Sequence, residues 1–361
     1  MYNKAMKRNL SLVILIATSL VLSGCSFGSG FSLPSSNKPV TLSESLWRTT
    51  DGGKDWVVSN KVNGKARASD IDALSIALNP SDSRVIFVGL KDGGIIKSED
   101  AGDTWTFLSN FTSPKVYGLA IDPLNNRVIY ASGVLNNRGK IWKTEDFGES
   151  WKEIYTSPSD GPLVISLILN EKNSQIIYAT ISDKQIIKSL DGGNSWKNLY
   201  KANQLVFGTA IDKVNSDLVY FMVMDGTLLR SRDGGNTIEN IRKNYTSSAA
   251  LGQGFTVVET DPVSANTVYI AGKGGLLKSI DAGNTWNKIK VLSDPSVSPI
   301  TALAINPRNN REITYGAGQA TYKSIDGGVN WATSQFDIKK RIRFIKYDPT
   351  NPSNIYMGFN K

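Results

Sequence analysis

The octapeptide SLDGGNSW, which runs from Ser189 to Trp196, has close copies along the whole chain and decides its fold. Each copy has a serine or threonine, an aspartate two positions later, a glycine two positions after that and usually a closing tryptophan. Seven copies occur between residues 49 and 331, in the order TTDGGKDW, SEDAGDTW, TEDFGESW, SLDGGNSW, SRDGGNTI, SIDAGNTW and SIDGGVNW. A short motif that recurs at a near-constant period indicates a repeat architecture.

The residues of this motif are those of a tight β-turn. Ser, Thr and Asp side chains form hydrogen bonds with the backbone of a turn, and glycine adopts a positive φ. The tryptophan then covers the turn with a large apolar surface, except in the fifth copy, where Ile238 replaces it. None of this chemistry requires a ligand, so we interpret the motif as structural. The predicted structural residues are Asp51, Gly53, Trp56, Asp100, Gly102, Trp105, Asp146, Gly148, Trp151, Asp191, Gly193, Trp196, Asp233, Gly235, Asp281, Gly283, Trp286, Asp326, Gly328 and Trp331.

The spacing of the motif predicts the size of the repeated unit. Successive aspartates are 49, 46, 45, 42, 48 and 45 residues apart, a period that suits a four-stranded β-propeller blade. In one unit, strands are predicted at Ala73–Leu78, Val85–Leu90, Gly94–Lys97 and Trp105–Leu108, with an Asn-Pro turn after the first strand. The motif lies between the third and fourth strands of each unit.

The two ends of the chain complete the count of blades. The first motif, within Leu46–Val58, has only a third and a fourth strand, whereas Arg343–Asp348 and Asn354–Phe359 supply only a first and a second. Pairing these ends in one blade closes a ring and removes two exposed sheet edges. The sequence therefore predicts an all-β, seven-bladed propeller over residues 45–361.

The N-terminus has the features of a secretion signal over residues 1–24. Three basic residues precede the apolar run Leu10–Leu22, which is too short to span a bilayer comfortably. The following Leu-Ser-Gly-Cys sequence ends at Cys25 and resembles a bacterial lipobox, which implies cleavage before Cys25 and acylation of its thiol. Residues 25–44, rich in Ser and Pro, then predict a flexible tether. We expect an extracytoplasmic protein anchored to a bacterial membrane by its N-terminal lipid.

Composition excludes several chemistries. The chain has no histidine and only one cysteine, which removes Ser-His-Asp triads, Cys/His zinc sites and internal disulfides. We predict no metal, no cofactor and no catalytic residue. The formal charge of +9 falls to +6 without the signal peptide, and the basic residues are dispersed, so no nucleic-acid partner is expected.

Binding residues are predicted on the face opposite the motifs, where longer connections join the blades, because binding sites favour loops on a rigid scaffold. These connections are Ser59–Asp72, Ser109–Val116, Tyr155–Leu163, Arg242–Gly254 and Val291–Pro299. Basic residues in or beside the connections are candidates for a cationic partner-binding rim, with ordinary solvated loop charge as the alternative. The candidates for partner binding are Arg67, Lys115, Arg341 and Arg343.

The repeat resembles the Asp-box, or BNR repeat, whose consensus is SxDxGxTW. Over about Leu46–Lys361, the chain is similar to the photosystem II stability and assembly factor-like family and to the sortilin N-terminal (Vps10-like) repeat family. That resemblance implies a non-catalytic role in assembly or ligand binding, with a basic patch that contacts membrane-protein precursors. Sialidases also contain Asp-boxes, but the arginine of their Arg-Ile-Pro motif has no match here.

Two functions remain open on the sequence. The first is a monomeric, membrane-tethered scaffold that binds a protein partner. The second is a glycan-binding protein or glycoside hydrolase, because xyloglucan endoglucanases use pairs of seven-bladed Asp-box propellers. A hydrolase would need two facing carboxylates, which could come from Asp70, Asp72, Asp225 and Glu259.

Overall fold

The computed structural model describes residues 45–63, 72–246 and 254–360 of the 361-residue chain. These residues form seven four-stranded antiparallel sheets and one short helix, which confirms the predicted seven-bladed propeller. The predicted signal peptide, lipid anchor and tether lie outside the described residues and stay predictions. Within the three described ranges, no helix is long and apolar enough to cross a membrane.

The strands follow the predicted order, and their bounds define the blades. The chain enters through β1 (Leu46–Thr49) and β2 (Val57–Val58). Blade 1 contains β3 (Ala73–Leu78), β4 (Ile86–Leu90), β5 (Ile95–Ser98) and β6 (Thr106–Phe107). Blade 2 contains β7 (Lys115–Ile121), β8 (Ile129–Leu135), β9 (Arg138–Thr144) and β10 (Lys152–Thr156). Blade 3 contains β11 (Val164–Leu169), β12 (Ile177–Ile181), β13 (Gln185–Ser189) and β14 (Lys197–Lys201).

The second half of the chain repeats this plan, with one helix between blades 4 and 5. Blade 4 contains β15 (Val206–Ile211), β16 (Val219–Val223), β17 (Leu228–Ser231) and β18 (Glu239–Asn240), and α1 (Lys243–Thr246) follows it. Blade 5 contains β19 (Phe255–Thr260), β20 (Val268–Gly272), β21 (Gly275–Ser279) and β22 (Asn287–Ile289). Blade 6 contains β23 (Ile300–Asn306), β24 (Asn309–Ala317), β25 (Ala320–Ser324) and β26 (Ala332–Gln335).

Blade 7 closes the ring as the ends of the sequence predict. It combines β27 (Arg341–Tyr347) and β28 (Ile355–Asn360) with the two N-terminal strands, in the order β2-β1-β28-β27. Strands β1 and β28 pair antiparallel, with Leu46 opposite Gly358 and Arg48 opposite Tyr356. Because the last strands of the chain pair with the first ones, neither end of the chain leaves an unpaired strand edge within blade 7.

The core is divided into seven apolar clusters, one at each junction between neighbouring blades. At the junction of blades 1 and 2, Phe87 packs in one cluster with Val116 and Trp142. The second strand of each blade is buried on both faces, as β4 and β12 illustrate. Burying apolar surface between blades is what holds adjacent sheets together.

A basic residue precedes the first residue of every Asp-box and links several blades to the next. Lys188 donates a hydrogen bond to the Gly234 carbonyl in the box of blade 4, at 2.6 Å, and Tyr178 donates to the same carbonyl at 2.8 Å. Lys323 donates to the Gly52 carbonyl across the closing junction. The position is occupied by Arg48, Lys97, Lys143, Lys188, Arg230, Lys278 and Lys323.

Each blade has two differently built ends. The turn between its first two strands and its Asp-box lie on one face of the propeller, which we call the turn face. The turns between second and third strands and the connections between blades lie on the opposite face, the loop face. The short helix α1 occupies part of the predicted loop Arg242–Gly254, where Tyr245 is buried and accepts a hydrogen bond from the Leu228 amide at 2.8 Å.

Candidate functional site

The Asp-boxes satisfy their own hydrogen bonds. In blade 3, Ser189 Oγ donates to Asp191 Oδ1 at 2.8 Å and accepts from the Gly193 amide at 2.8 Å. Asp191 also accepts from the Ser195 amide at 2.8 Å and from the Ser195 hydroxyl. These hydrogen bonds, first the one from the Ser195 side chain, lower the pKa of Asp191 to about 2. A carboxylate occupied in this way has little capacity left for a ligand.

The other boxes repeat the backbone hydrogen bonds of this geometry, although Asp55 and Asn330 replace the hydroxyl residue in the first and last boxes. In blade 4, where Ile238 replaces tryptophan, Asp233 still accepts from the Thr237 amide at 2.8 Å and from the Thr237 hydroxyl at 2.7 Å. Among the residues the structure describes, no cluster of three or more potential metal ligands occurs, at the boxes or elsewhere. The structure therefore places all twenty predicted structural residues in or beside turns of the turn face, and the aspartate of each turn accepts hydrogen bonds from within that turn.

The loop face differs from the turn face, because there the first strand of every blade contributes a differently aimed side chain to the central channel. In each first strand, the register against the second strand shifts by one residue, which marks a β-bulge. A bulge leaves its extra residue unpaired and re-aims that side chain. The seven bulge residues all line one channel cavity of about 850 Å³. This bulge ring consists of Leu74, Tyr117, Ile165, Phe207, Thr256, Thr301 and Arg343.

The chemistry of the bulge ring changes around the channel. Blades 1 to 4 contribute four apolar or aromatic side chains, blades 5 and 6 contribute two threonines, and blade 7 contributes Arg343. Blade 4 extends the apolar arc, since Leu205 and the 58% exposed side chain of Met224 line the same cavity beside Phe207. The channel mouth is therefore apolar on one side and cationic on the other.

The cationic side consists of two arginines of β27. Arg341 and Arg343 both line the cavity and are exposed to it, and neither guanidinium forms a hydrogen bond or ion pair with a residue that the structure describes. The surrounding protein lowers the pKa of Arg343 by desolvating its charge. An arginine that is partly desolvated but unpaired is available for an anionic group of a ligand.

Below the bulge ring, an ion pair crosses the channel. Lys346 Nζ lies 2.9 Å from Glu259 Oε1, and the negative charge of Glu259 raises the pKa of Lys346. Both residues line the upper cavity and also a lower cavity of about 320 Å³ that opens on the turn face. Five turn prolines line this lower cavity, and Glu171 there pairs with Lys213 at 2.8 Å.

The sequence-predicted candidates divide in three ways. The structure brings Arg341 and Arg343 together at the channel mouth. Lys115 begins β7 on the loop face but does not line the channel cavity, and Arg67 lies outside the described residues. Lys340, next to Arg341, is held by Ser45 Oγ and Asp72 Oδ1, each at 2.9 Å, so its charge is partly neutralised.

The carboxylates considered for hydrolysis do not converge. Asp72 pairs with Lys340, and Asp225 lies 3.4 Å from Arg242 on the loop face. Neither lines the channel cavities, which contain Glu259 instead, and Asp70 lies outside the described residues. Glu259 and Glu171 share the lower cavity, but each is engaged with a lysine.

Sequence reasoning missed the bulge ring. Bulges have no composition signal as sharp as the Asp-box, although a small residue follows the bulge in blades 1, 2, 3, 4 and 6, as Gly118 and Gly208 illustrate. An alignment of the seven repeats on their Asp-boxes and first strands would have revealed a column in which chemistry varies. It would also have separated Arg343 from the other basic residues near the loops.

The comparisons with protein families agree with the repeat. Residues 44–160 and 93–225, which together span 44–225, match the family model of sortilin, neurotensin receptor 3 (Sortilin-Vps10). Residues 209–347 match the model of the photosynthesis system II assembly factor YCF48 (PSII_BNR). The two matches together extend over almost the whole propeller.

Curated relatives include xyloglucanases. Xyloglucanase Xgh74A of Acetivibrio thermocellus is 26% identical over 162 residues, which are 34% of this chain and 19% of the relative. A probable oligoxyloglucan-reducing end-specific xyloglucanase of Neosartorya fischeri is 23% identical over 327 residues, which are 78% of this chain and 36% of the relative. In these alignments, the chain spans between about a fifth and a third of the relatives' length.

Solved structures share the fold. The GH74 xyloglucanase from Xanthomonas campestris superposes with a TM-score of 0.67 at 14% identity, covering 79% of this chain and 50% of that one. A structure of YCF48 bound to D1 peptide superposes with a TM-score of 0.62 at 13% identity, covering 80% of this chain and 92% of that one. At such identities, the likeness shows the propeller architecture alone.

Proposed function

Because this chain belongs to the Asp-box (BNR) repeat propellers, we propose that it is a membrane-anchored extracytoplasmic scaffold that binds a protein partner and catalyses no reaction. The observation that carries the proposal is the channel mouth, where Arg341 and Arg343 have no acidic partner among the residues that the structure describes and face an apolar arc. The partner docks there. The membrane anchor rests on the lipobox-like sequence at Cys25.

The distribution of side chains favours binding over hydrolysis. Glycoside hydrolysis needs two carboxylates at the scissile bond, and sugar subsites are commonly walled by aromatic rings. Here the half-buried rings of Tyr117 and Phe207 line the channel mouth together with arginines, whereas the channel carboxylates Glu171 and Glu259 lie lower and are paired with lysines. Ion-paired carboxylates are poorly suited to act as a general acid.

The comparisons support the same direction. YCF48, which has the same fold, has been solved with a bound D1 peptide, and its family model matches residues 209–347. This range includes Arg341 and Arg343. Peptide binding by YCF48 is therefore a precedent for peptide binding at the channel mouth of this propeller.

A second candidate function is hydrolysis or binding of a xyloglucan-like glycan, which the similarity to xyloglucanases favours. In this candidate, Glu259 and Glu171 would act in the lower cavity. We expect no release of reducing sugar from xyloglucan by the purified protein. Turnover that disappears in the Glu259→Gln variant would establish hydrolysis and overturn the scaffold proposal.

The scaffold proposal is tested by capture from detergent-solubilised membranes with the full-length protein as bait. We expect a defined partner that is retained by the wild type and lost with the double variant Arg341→Gln/Arg343→Gln. The matched control is Arg127→Gln/Arg311→Gln, which removes two exposed arginines from the turn face. Capture that survives in the first variant, or is lost in both, contradicts docking at the channel mouth.

A further inference from the structure

The apolar and cationic residues of the bulge ring lie on opposite sides of the channel, and the proposed docking leaves this arrangement unexplained. In a ring of seven blades, blades 3 and 4 lie across the channel from blade 7. Ile165 and Phe207 therefore face Arg343 across the mouth, and Met224 and Leu205 extend the apolar side. A ligand in the channel meets an apolar wall on one side and a cation on the other.

An extended peptide matches this arrangement, because its successive side chains point to opposite sides. We infer that the bulge ring selects an extended peptide segment in which acidic and large apolar side chains alternate, with the acidic side towards Arg343 and the apolar side towards Phe207. This inference rests on the proposed function, since it defines the ligand class of the same channel mouth.

Arg341 extends the cationic side by one more contact. It lies two residues before Arg343 on β27 and lines the same cavity, closer to the start of the strand on the loop face. Two residues of strand span roughly 6.6 Å, which is also the separation between alternate side chains of an extended ligand. Acidic residues at positions i and i+2 of the peptide therefore meet Arg343 and Arg341.

The remaining ring positions suit a peptide backbone. Thr256 is exposed in the mouth, and its hydroxyl has no partner among the described residues, so it can bond a peptide carbonyl or amide. Thr301, in contrast, donates to the Ile342 carbonyl at 2.7 Å and supports β27. Below the ring, Lys346 is already paired with Glu259, so the selection for acidic groups ends at Arg343.

The test compares two blocked, fluorescently labelled hexapeptides of equal composition. One alternates Glu and Leu, and the other has three Glu followed by three Leu, so that charge and apolarity are identical. Fluorescence anisotropy is measured with the full-length protein in detergent, with inorganic phosphate as competitor. We expect the alternating peptide to bind at least about tenfold more tightly, since only it places both kinds of side chain correctly.

Variants on the cationic and apolar sides of the channel mouth provide the second part of the test. Arg343→Gln is expected to weaken the alternating peptide about tenfold or more, because a charge-assisted hydrogen bond is lost. Met224→Ser removes exposed apolar surface at no cost to the core, and a severalfold loss is expected. Arg127→Gln, on the turn face, is expected to leave binding unchanged.

Equal binding of the two peptides, or displacement of the alternating peptide by phosphate alone, would show that the mouth recognises only charge and would overturn the inference. If neither peptide binds while capture of a partner still depends on Arg341 and Arg343, the proposed function stands and this ligand class is wrong. If capture also fails to depend on these arginines, the proposed function fails with it.

Discussion

The Asp-boxes and the bulge ring are two sevenfold features of the same propeller, and they differ in what is repeated. At the boxes, both backbone and side chains recur, so that Asp191 and Asp233 accept the same hydrogen bonds in different blades. At the ring, only the backbone recurs, and the side chain changes from Phe207 through Thr256 to Arg343.

This difference separates structure from function within one repeat. A side chain needed by every blade must be the same in every blade, because each turn has the same unpaired backbone groups. A side chain that contacts an asymmetric ligand gains nothing from repetition. In a repeat protein, a binding site is therefore expected at the repeat position where the backbone is the same in every repeat and the side chain varies.

Acid is expected to have the largest effect, because it acts on all seven boxes at once. Hydrogen bonding holds the pKa of every box aspartate below its ordinary value near 3.8, and those of Asp146, Asp191 and Asp233 are lowered to about 2. A lowered native pKa contributes stability above the unfolded pKa and loses it as the pH falls. Thermal unfolding should show a Tm that falls steeply between about pH 4 and pH 2.

None of the seven residues of the bulge ring is acidic, so this loss of stability in acid is expected to come from the boxes and not from the ring. Asp191→Asn should be less stable than the wild type at pH 7, and the difference should shrink as the pH approaches 2. A Tm that does not change between pH 4 and pH 2 would show that the box hydrogen bonds do not stabilise the ionised carboxylates.

Gly316→Ala tests whether the backbone of the ring is as constrained as that of the boxes. Gly316 lies across from the residue after the bulge of β23, and an added Cβ would lie 2.8 Å from Ile342 Cγ2 and 3.0 Å from its Cβ. Such overpacking costs roughly 1–3 kcal/mol of unfolding free energy. In urea unfolding, we expect the double variant Gly316→Ala/Ile342→Ala to lose less unfolding free energy than the sum of the losses in the two single variants. Additive losses would contradict the predicted clash.

Ser189→Ala and Ser231→Ala test whether the box depends on its tryptophan. Each serine is buried, donates a hydrogen bond to its aspartate and accepts one from its glycine amide, but of these two boxes the one in blade 3 has a tryptophan and the one in blade 4 has Ile238. Removing a buried hydroxyl that leaves partners unsatisfied costs about 1–3 kcal/mol. We expect similar losses of unfolding free energy at both sites. A clearly smaller loss at Ser231 would show that these hydrogen bonds stabilise the box fully only where a tryptophan covers it.

The sequence predicted the part of the fold that repeats in chemistry. The seven motifs, their period and the divided blade at the chain ends were sufficient for the architecture, because each box residue has one local role. The sequence named Arg67, Lys115, Arg341 and Arg343 as candidates for partner binding, and of these the structure places Arg341 and Arg343 at the channel mouth. Their convergence depends on ring closure and on a bulge in each first strand, which a local pattern does not encode.

Thr256→Val is expected to have the smallest effect on stability, and it completes the comparison. Thr256 occupies the bulge of β19, is exposed to the channel and has no hydrogen-bond partner among the described residues. Valine has nearly the same shape and suits a strand, so the unfolding free energy should change by less than about 0.5 kcal/mol. Urea denaturation beside Ser189→Ala makes the contrast direct, since both variants remove one hydroxyl. If the two losses are equal, ring side chains support the fold as box side chains do, and their variation is no evidence of a binding site.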